Sequence, residues 1–535
     1  MAPAWKFSGT SIFRSKKANL SPLSATRALA TIHPNPSEMK LEQNTLHLTA
    51  LVLAFAPTAM AQYAPPPPPR PFPGFINEAL RKNDPYMNQW DIGGAWRMRY
   101  ETKDGYGIAG SPGSTDFRSN NADTSNSYLL SRIRLRLGYT SKWWGALAEG
   151  RSSLVGSDDR AAATAPVARF GDGPESDSID LHQAWVNIGN HKEFPFSLKV
   201  GRQEMNFMEG RLVGDFVWNN IGRVFDAAKL RWQNSLFAAD IFTSRVVIPE
   251  DGRFNVSNDY DYFSGFHAVS PVIKNHSLEL YGYSRNASPF AASAEPSPQF
   301  PQPTARDIYT MGVRIKSNPG ALGAWDYTLD AIGQLGNYRD TRAGASTSRL
   351  DHEAYAFIAQ GGYTFSETWS TPRLGLEYAH ASGDSNPTDG KHSTFENLFP
   401  TNHKFYGYGD LVSLQNIHDV RTILQSKPHP QLSLALEGHL FWLADTADNF
   451  YNVGGVPRGG VAATPGTGFG INPGYSSFVG SELDFVAGYA VTRYAQLELG
   501  YSRFFAGDYI DQTYTAATHG SRDANFFYLQ MNLNF

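Results

Sequence analysis

The sequence predicts an all-β protein: a transmembrane antiparallel β-barrel of about 18 strands, with short periplasmic turns and long extracellular loops. Three observations point there. Apolar and polar side chains alternate with period two through most of the chain beyond residue 90. The runs are joined by connections that are tight and long in turn. No stretch of the mature chain is long and apolar enough for a membrane helix, at a mean hydropathy of -0.38.

The first element is a targeting segment. Leu46 to Phe55 (LHLTALVLAF) is a short apolar run behind Lys40, followed by Pro57 and the A-x-A pattern Ala59-Met60-Ala61. Residues 1–61 are therefore a signal peptide cleaved after Ala61, with an N-terminal extension before Met39, which is read as the true start. Residues 62–88 follow as a proline-rich periplasmic spacer. Pro65 to Pro69 and Arg70-Pro71-Phe72-Pro73 favour a stiff polyproline II stretch, a spacer first and a ligand for a partner domain second. Residues 89–535 form the barrel.

Within the barrel the strands follow from alternation. Ser131–Tyr139 (SRIRLRLGY) sets Arg132, Arg134 and Arg136 against Ile133, Leu135 and Leu137. Trp90–Tyr100 sets Arg97 and Arg99 against Trp96, Met98 and Tyr100. Phe225–Trp232 sets Lys229 and Arg231 against Leu230 and Trp232. Ile308–Lys316 sets Thr310, Arg314 and Lys316 against Tyr309, Met311 and Val313. Trp325–Leu335 and Ser481–Tyr489 repeat the pattern with acids, Asp326 and Asp330 in one, Glu482 and Asp484 in the other. In a barrel the greasy face meets lipid and the charged face lines the lumen. A slip of one residue would reverse each assignment. Tight turns fall at Thr140–Lys142, Gln233–Asn234 and Thr492–Arg493. Long segments fall at Ser153–Asp177, Asn286–Arg306, Gly336–His352, Ser382–Asp410 and Thr446–Phe478. The final strand, NFFYLQMNLNF, ends on Phe535, as an assembly signal read by the barrel-assembly machinery would.

Composition narrows the chemistry. The chain has no cysteine, so disulfides and thiolate metal sites are excluded. Six of its 46 basic and two of its 50 acidic side chains precede residue 62, which leaves 40 against 48 and a net charge near -8. An acidic chain with local arginine columns is no nucleic-acid binder. Asp384-Ser385-Asn386 with Asp389-Gly390 has the wrong spacing for a calcium loop of the EF-hand kind. Gly466-x-Gly468-x-Gly470 lacks the strand-to-helix setting of a nucleotide site. His182 and His439 fall within strands with no nucleophile motif beside them, so no catalytic residue, cofactor or metal is expected.

Three blocks carry a family likeness: Gly201–Trp232 (GRQEMNFMEGRLVGDFVWNNIGRVFDAAKLRW), Ala381–Asp410 (ASGDSNPTDGKHSTFENLFPTNHKFYGYGD) and Gly480–Asp508 (GSELDFVAGYAVTRYAQLELGYSRFFAGD). In this order they resemble the alginate export family of outer-membrane proteins, from about Trp90 to Phe535. The resemblance implies a monomeric 18-strand barrel in the bacterial outer membrane that passes an anionic polysaccharide through an arginine-lined lumen, with periplasmic secretion partners. Candidate substrate-binding residues are Arg97, Arg99, Arg132, Arg134, Arg136, Lys229, Arg231 and Arg314. Guanidinium groups stay charged and fork onto carboxylates. The alternative is a general or substrate-selective porin for small anionic solutes in the same barrel. These arginines can equally pair with acids on neighbouring strands, such as Glu149, Glu377, Glu437, Glu482, Asp484 and Glu498. Trp218, Asn219, Asn220, Arg223 and Asp226 are read as residues that order a loop.

Overall fold

The computed structural model describes residues 72–105, 125–158, 175–190, 193–287, 305–339, 349–403, 405–458, 469–513 and 523–535. The targeting segment and the Pro65–Pro69 tract lie outside them. The first described element is a helix, α1 (Phe75–Asn83). The strands follow in chain order: β1 (Trp90–Asp104), β2 (Asn126–Thr140), β3 (Trp144–Gly156), β4 (Asp177–Ile188), β5 (Phe196–Gln203), β6 (Phe225–Gln233), β7 (Ala238–Ile248), β8 (Val256–Ser270), β9 (His276–Ala287), β10 (Arg306–Ser317), β11 (Trp325–Arg339), β12 (Arg349–Thr364), β13 (Arg373–Ala381), β14 (Lys391–His392), β15 (Ile417–His429), β16 (Leu432–Leu443), β17 (Phe478–Ala490), β18 (Ala495–Ala506) and β19 (Ala524–Asn534). A short helix, α2 (Asp508–Thr513), precedes β19.

Each long strand pairs antiparallel with its chain neighbour, and β1 closes the sheet on β19. The two-residue β14 is an addition lying parallel against β12, and β13 pairs directly with β15. Setting β14 aside leaves eighteen strands in a closed barrel. Closure removes the sheet edges, so no strand is left with unpaired backbone in a bilayer.

The alternation fixes the two faces. Ile133, Leu135 and Leu137 of β2 are 39%, 58% and 50% exposed, and Met311 and Leu376 are likewise open. Their counterparts Arg97, Arg99 and Arg132 are buried. Large apolar residues outside and charges inside invert a soluble protein and suit a lipid-facing wall. Aromatic rings gather beside the short turns: Trp90–Tyr139, Tyr139–Trp144, Trp232–Phe237 and Trp325–Tyr363 lie 4.8–5.0 Å apart. Such a girdle marks one membrane interface.

The end of the segment read as a spacer is ordered against the barrel. Asn77 donates to Asp91 Oδ1 (3.0 Å), and Arg81 donates to the Trp90 carbonyl (2.7 Å). Phe75 packs on Tyr494 and on Phe535, with ring centroids 6.0 and 6.3 Å away. A Cβ on Gly74 would meet the Phe535 carbonyl oxygen at 2.2 Å, so only glycine fits there. Phe535 itself exchanges two backbone hydrogen bonds with Gly94.

The interior is packed. Leu212, Val213, Phe395, Phe399, Tyr406 and Leu414 belong to one buried apolar cluster, and all come from connections rather than strands.

Candidate channel constriction

The register creates an electrostatic conflict. Arg97 of β1 lies directly opposite Arg132 of β2, and Arg134 of β2 lies opposite Arg151 of β3. Like charges in facing positions destabilise a sheet. The connection between β5 and β6, residues 204–224, resolves the conflict by folding into the lumen. Its peptide carbonyls accept from the arginines. Arg97 donates to Val217 O (2.8 Å), Asn219 O (3.2 Å) and Asn220 Oδ1 (3.2 Å). Arg132 donates to Val217 O (3.0 Å) and Asn219 O (3.1 Å). Arg99 donates to Trp218 O (2.8 Å), and Arg151 to Ile221 O (2.8 Å). Four guanidiniums of the wall thus read one turn of backbone.

Trp218 is the centre of this arrangement. The Arg99 guanidinium sits 3.7 Å above its ring, and the His403 imidazole stacks on it at 3.7 Å with 9° between the planes. His403 belongs to a second inward connection, residues 382–416 between β13 and β15. The two connections form a parallel bridge between Val213 and Phe399. Arg223 binds them together, donating to Gly214 O (3.1 Å), Phe399 O (2.6 Å) and Pro400 O (2.9 Å). Arg285 with Arg306 on Glu396, and Arg211 on Glu377, tie both connections to the wall. Of the eleven non-glycine residues with positive φ among those described, six (Met208, Glu209, Phe216, Leu398, Asp410 and Asn416) lie in these two connections. That strain is held by the surrounding ion pairs.

The eight residues singled out from the sequence separate into two sets. Arg97, Arg99, Arg132, Arg134 and Arg136 form one basic wall. Arg134 pairs with Glu204 (2.9 Å), and Arg136 lies 3.9 Å from Glu149 and 4.5 Å over the Phe72 ring. Lys229 and Arg231 stand apart on β6 and share Asp240, at 3.8 and 2.9 Å. Arg314 pairs with Glu209 and with Glu279 (3.5 Å). The pairing with neighbouring acids expected of such arginines therefore occurs for several of them. Arg97 and Arg132 differ: their hydrogen bonds go to carbonyls and one amide, and no carboxylate among the described residues pairs with them. Trp218, Asn219, Asn220 and Arg223 do order a loop, while Asp226 pairs with Arg202 at 2.9 Å.

Arg151, Arg211, Arg285, Arg306 and Arg421 escaped the sequence reading as lumen residues. Arg151 was within reach, since Glu149, Arg151 and Ser153 alternate inward along β3. His182 bonds to Glu204 (2.9 Å) and Arg151 (3.1 Å), and His439 to Asp419 (3.0 Å), with no serine hydroxyl among their partners in the described residues. Asp384, Asn386 and Asp389 accept from backbone N–H groups two residues on, so that stretch is a chain of side-chain turns. Gly466 and Gly468 lie outside the described residues.

Two loop carboxyls diverge in their affinity for protons. Burial pushes Asp215 up to about 6, helped by repulsion from Glu204 and opposed by Arg134. Burial would also raise Glu204, but Arg134 and His182 outweigh it and hold Glu204 well below the usual carboxylate range. Beyond the constriction a cavity of about 400 Å³ opens between the connections, lined by Phe216, Arg223, Arg306, Tyr338, Asp448 and Tyr451 among others.

A closed eighteen-strand barrel with an apolar exterior and a charged, loop-narrowed lumen is an outer-membrane channel. The alginate export family matches residues 91–522, and the chain belongs to that family. Among solved structures, OccAB1 of Acinetobacter baumannii aligns over 83% of this chain and 97% of its own, at 11% identity and a TM-score of 0.51. OpdQ of Pseudomonas aeruginosa aligns over 83% and 98%, at 12% identity and a TM-score of 0.50. These likenesses concern the fold. No curated protein sequence matches the chain.

Proposed function

We propose that the protein is a selective channel for small anionic solutes. The observation that carries this reading is the pair Arg97 and Arg132, which face the constriction without a carboxylate partner among the described residues. Two guanidiniums bonded to carbonyls and an amide, with no carboxylate paired to them among the described residues, favour an anion over a cation in a low-dielectric lumen. The packed interior supports small solutes over a polymer. A cavity of about 400 Å³ suits a ligand of a few rings at most. A polysaccharide would require residues 204–224 and 382–416 to withdraw, breaking the Arg97, Arg132 and Arg223 contacts together. Family membership supports the second reading, passage of an alginate-like polymer with those connections displaced by secretion partners.

Single-channel recording in a planar bilayer separates the two. We expect a small, anion-selective conductance, blocked by a monomeric uronate at millimolar concentration and no better by a polyuronate at equal sugar concentration. Replacing both Arg97 and Arg132 with Ala should abolish the selectivity. Block by polyuronate at far lower concentration than by the monomer would establish the polymer reading instead.

A further inference from the structure

We propose that Glu437, His439 and Asp484 form a binding site for a divalent transition-metal cation of the zinc or manganese class, set in the barrel wall on β16 and β17, with two strands between it and β1. The register assembles it. Glu437 and His439 are successive inward residues of β16, and Asp484 lies directly across from Glu437 on β17. One ligand atom from each lies within 4.8 Å of the others, and all three side chains are at most 1% exposed.

The histidine is oriented as a ligand. Both oxygens of Asp419 lie 3.0–3.1 Å from His439 Nδ1, which places the ring proton there. Nε2 is then a lone-pair donor. Among the described residues it has no hydrogen-bond partner, and it points towards Asp484 Oδ2, 3.8 Å away. A carboxylate holding the far nitrogen of a histidine is the usual outer partner of a metal-bound imidazole. The Asp484 oxygens also lack a hydrogen bond of normal geometry, with Glu482 and Ser502 alongside.

The local charge calls for a cation. Asp419, Glu437, Glu482, Asp484 and Glu377 are all buried here. Among the described residues, Arg421, on Glu437 and Glu377, and Arg211, on Glu377, are the guanidiniums that answer them. Glu482 accepts from the Gly409 N–H at 2.7 Å and lies beside Asp484. Buried carboxylates without counter-charge bind a metal or a proton. The imidazole nitrogen favours a transition metal over calcium or magnesium, which take oxygen ligands. Tetrahedral zinc holds its ligands about 3.4 Å apart, so the 3.8 Å pair need close by only a few tenths of an ångström. A second group, Glu149, His182 and Glu204, has similar spacing. There Arg134 and Arg151 already supply positive charge, and both nitrogens of His182 are engaged.

The test uses the tag-free full chain in detergent, stripped with EDTA. Zn²⁺ is titrated by calorimetry, and Co²⁺ by visible absorption. We expect one equivalent of Zn²⁺ bound, with Co²⁺ giving ligand-field bands in the unmodified protein. His439→Gln and Asp484→Asn should each weaken binding by about tenfold or more, while His182→Gln leaves it unchanged. Unheated electrophoretic mobility reports that each variant is folded. Failure of the unmodified protein to bind Zn²⁺ or Co²⁺, a preference for Ca²⁺, or binding indifferent to both substitutions would overturn the site. A proton shared by Asp484 and Glu482 would then account for the cluster.

Discussion

Two guanidiniums face each other across β1 and β2, and a peptide loop holds them there. Arg97 and Arg132 could lower their repulsion by moving apart, but the strand register forbids it. Carbonyl oxygens of residues 217 and 219 take the role that carboxylates take elsewhere, and the arginine charge is left in place. Arg151 shows the opposite solution, a full ion pair with Asp177 in which neither side chain is more than 2% exposed. Arg151→Ala would strand that buried carboxylate and should lower unfolding free energy by about 3–5 kcal/mol. Arg231→Ala removes a half-exposed pair and should cost about 0–1 kcal/mol. Denaturant unfolding in detergent compares them. Asp215 gives a pH dependence. Its folded affinity for protons exceeds its ordinary one, which corresponds to a pKa of 3.8, so its contribution to stability is full below about pH 4 and lost as pH rises through about 6. The same protonation removes a negative charge from the constriction. The anion-to-cation permeability ratio should therefore rise between pH 7 and pH 5, and Asp215→Asn should abolish that rise.

At the scale of elements, inward glycines are covered by tyrosines directly across the strand pair. Gly312 faces Tyr281 and Gly500 faces Tyr528. A Cβ would meet the tyrosine ring at 2.1 Å and 2.0 Å respectively. The ring lies over the bare backbone, an arrangement that strengthens a strand where glycine would weaken it. Gly312→Ala should displace Tyr281, break its 2.7 Å bond to Asp330 and destabilise the barrel by about 1–3 kcal/mol, read from the same unfolding curves. The β5–β6 connection behaves as a separate element. Replacing residues 211–221 with a short Gly/Ser linker should leave the barrel folded and raise single-channel conductance several-fold, with anion selectivity kept by Arg97 and Arg132 on the wall. The strands were legible because their period of two survives along most of each strand, bulges apart: Arg132, Arg134 and Arg136 face inward as their spacing requires. The inward course of residues 204–224 was not legible. Loop sequences carry no periodicity, and the arginines that fix this one lie 70 to 122 residues earlier in the chain.

Taken whole, the molecule sets a basic sector of its wall beside an acidic one, with β18 and β19 between them. Arg97, Arg99, Arg132 and Arg134 stand on β1 and β2, while Asp419, Glu437, Glu482 and Asp484 stand on β15, β16 and β17. Composition hides this, because opposite charges largely cancel in a net count. The same is true of α1: a proline-rich approach reads as a tether, yet Asn77 and Arg81 fasten its end to β1. That fastening also imposes an order in time. The seat of α1 is built from Trp90 and Asp91 of the first strand, the β17–β18 turn at Arg493 and Tyr494, and Phe535 at the end of the last strand. The helix leaves the ribosome before any other described element, yet two parts of its seat are among the last to be made. Its bonds to β1 can form early, but its contacts with Tyr494 and Phe535 wait until β19 closes against β1, so its docking is a clasp that shuts fully only once the circle is complete.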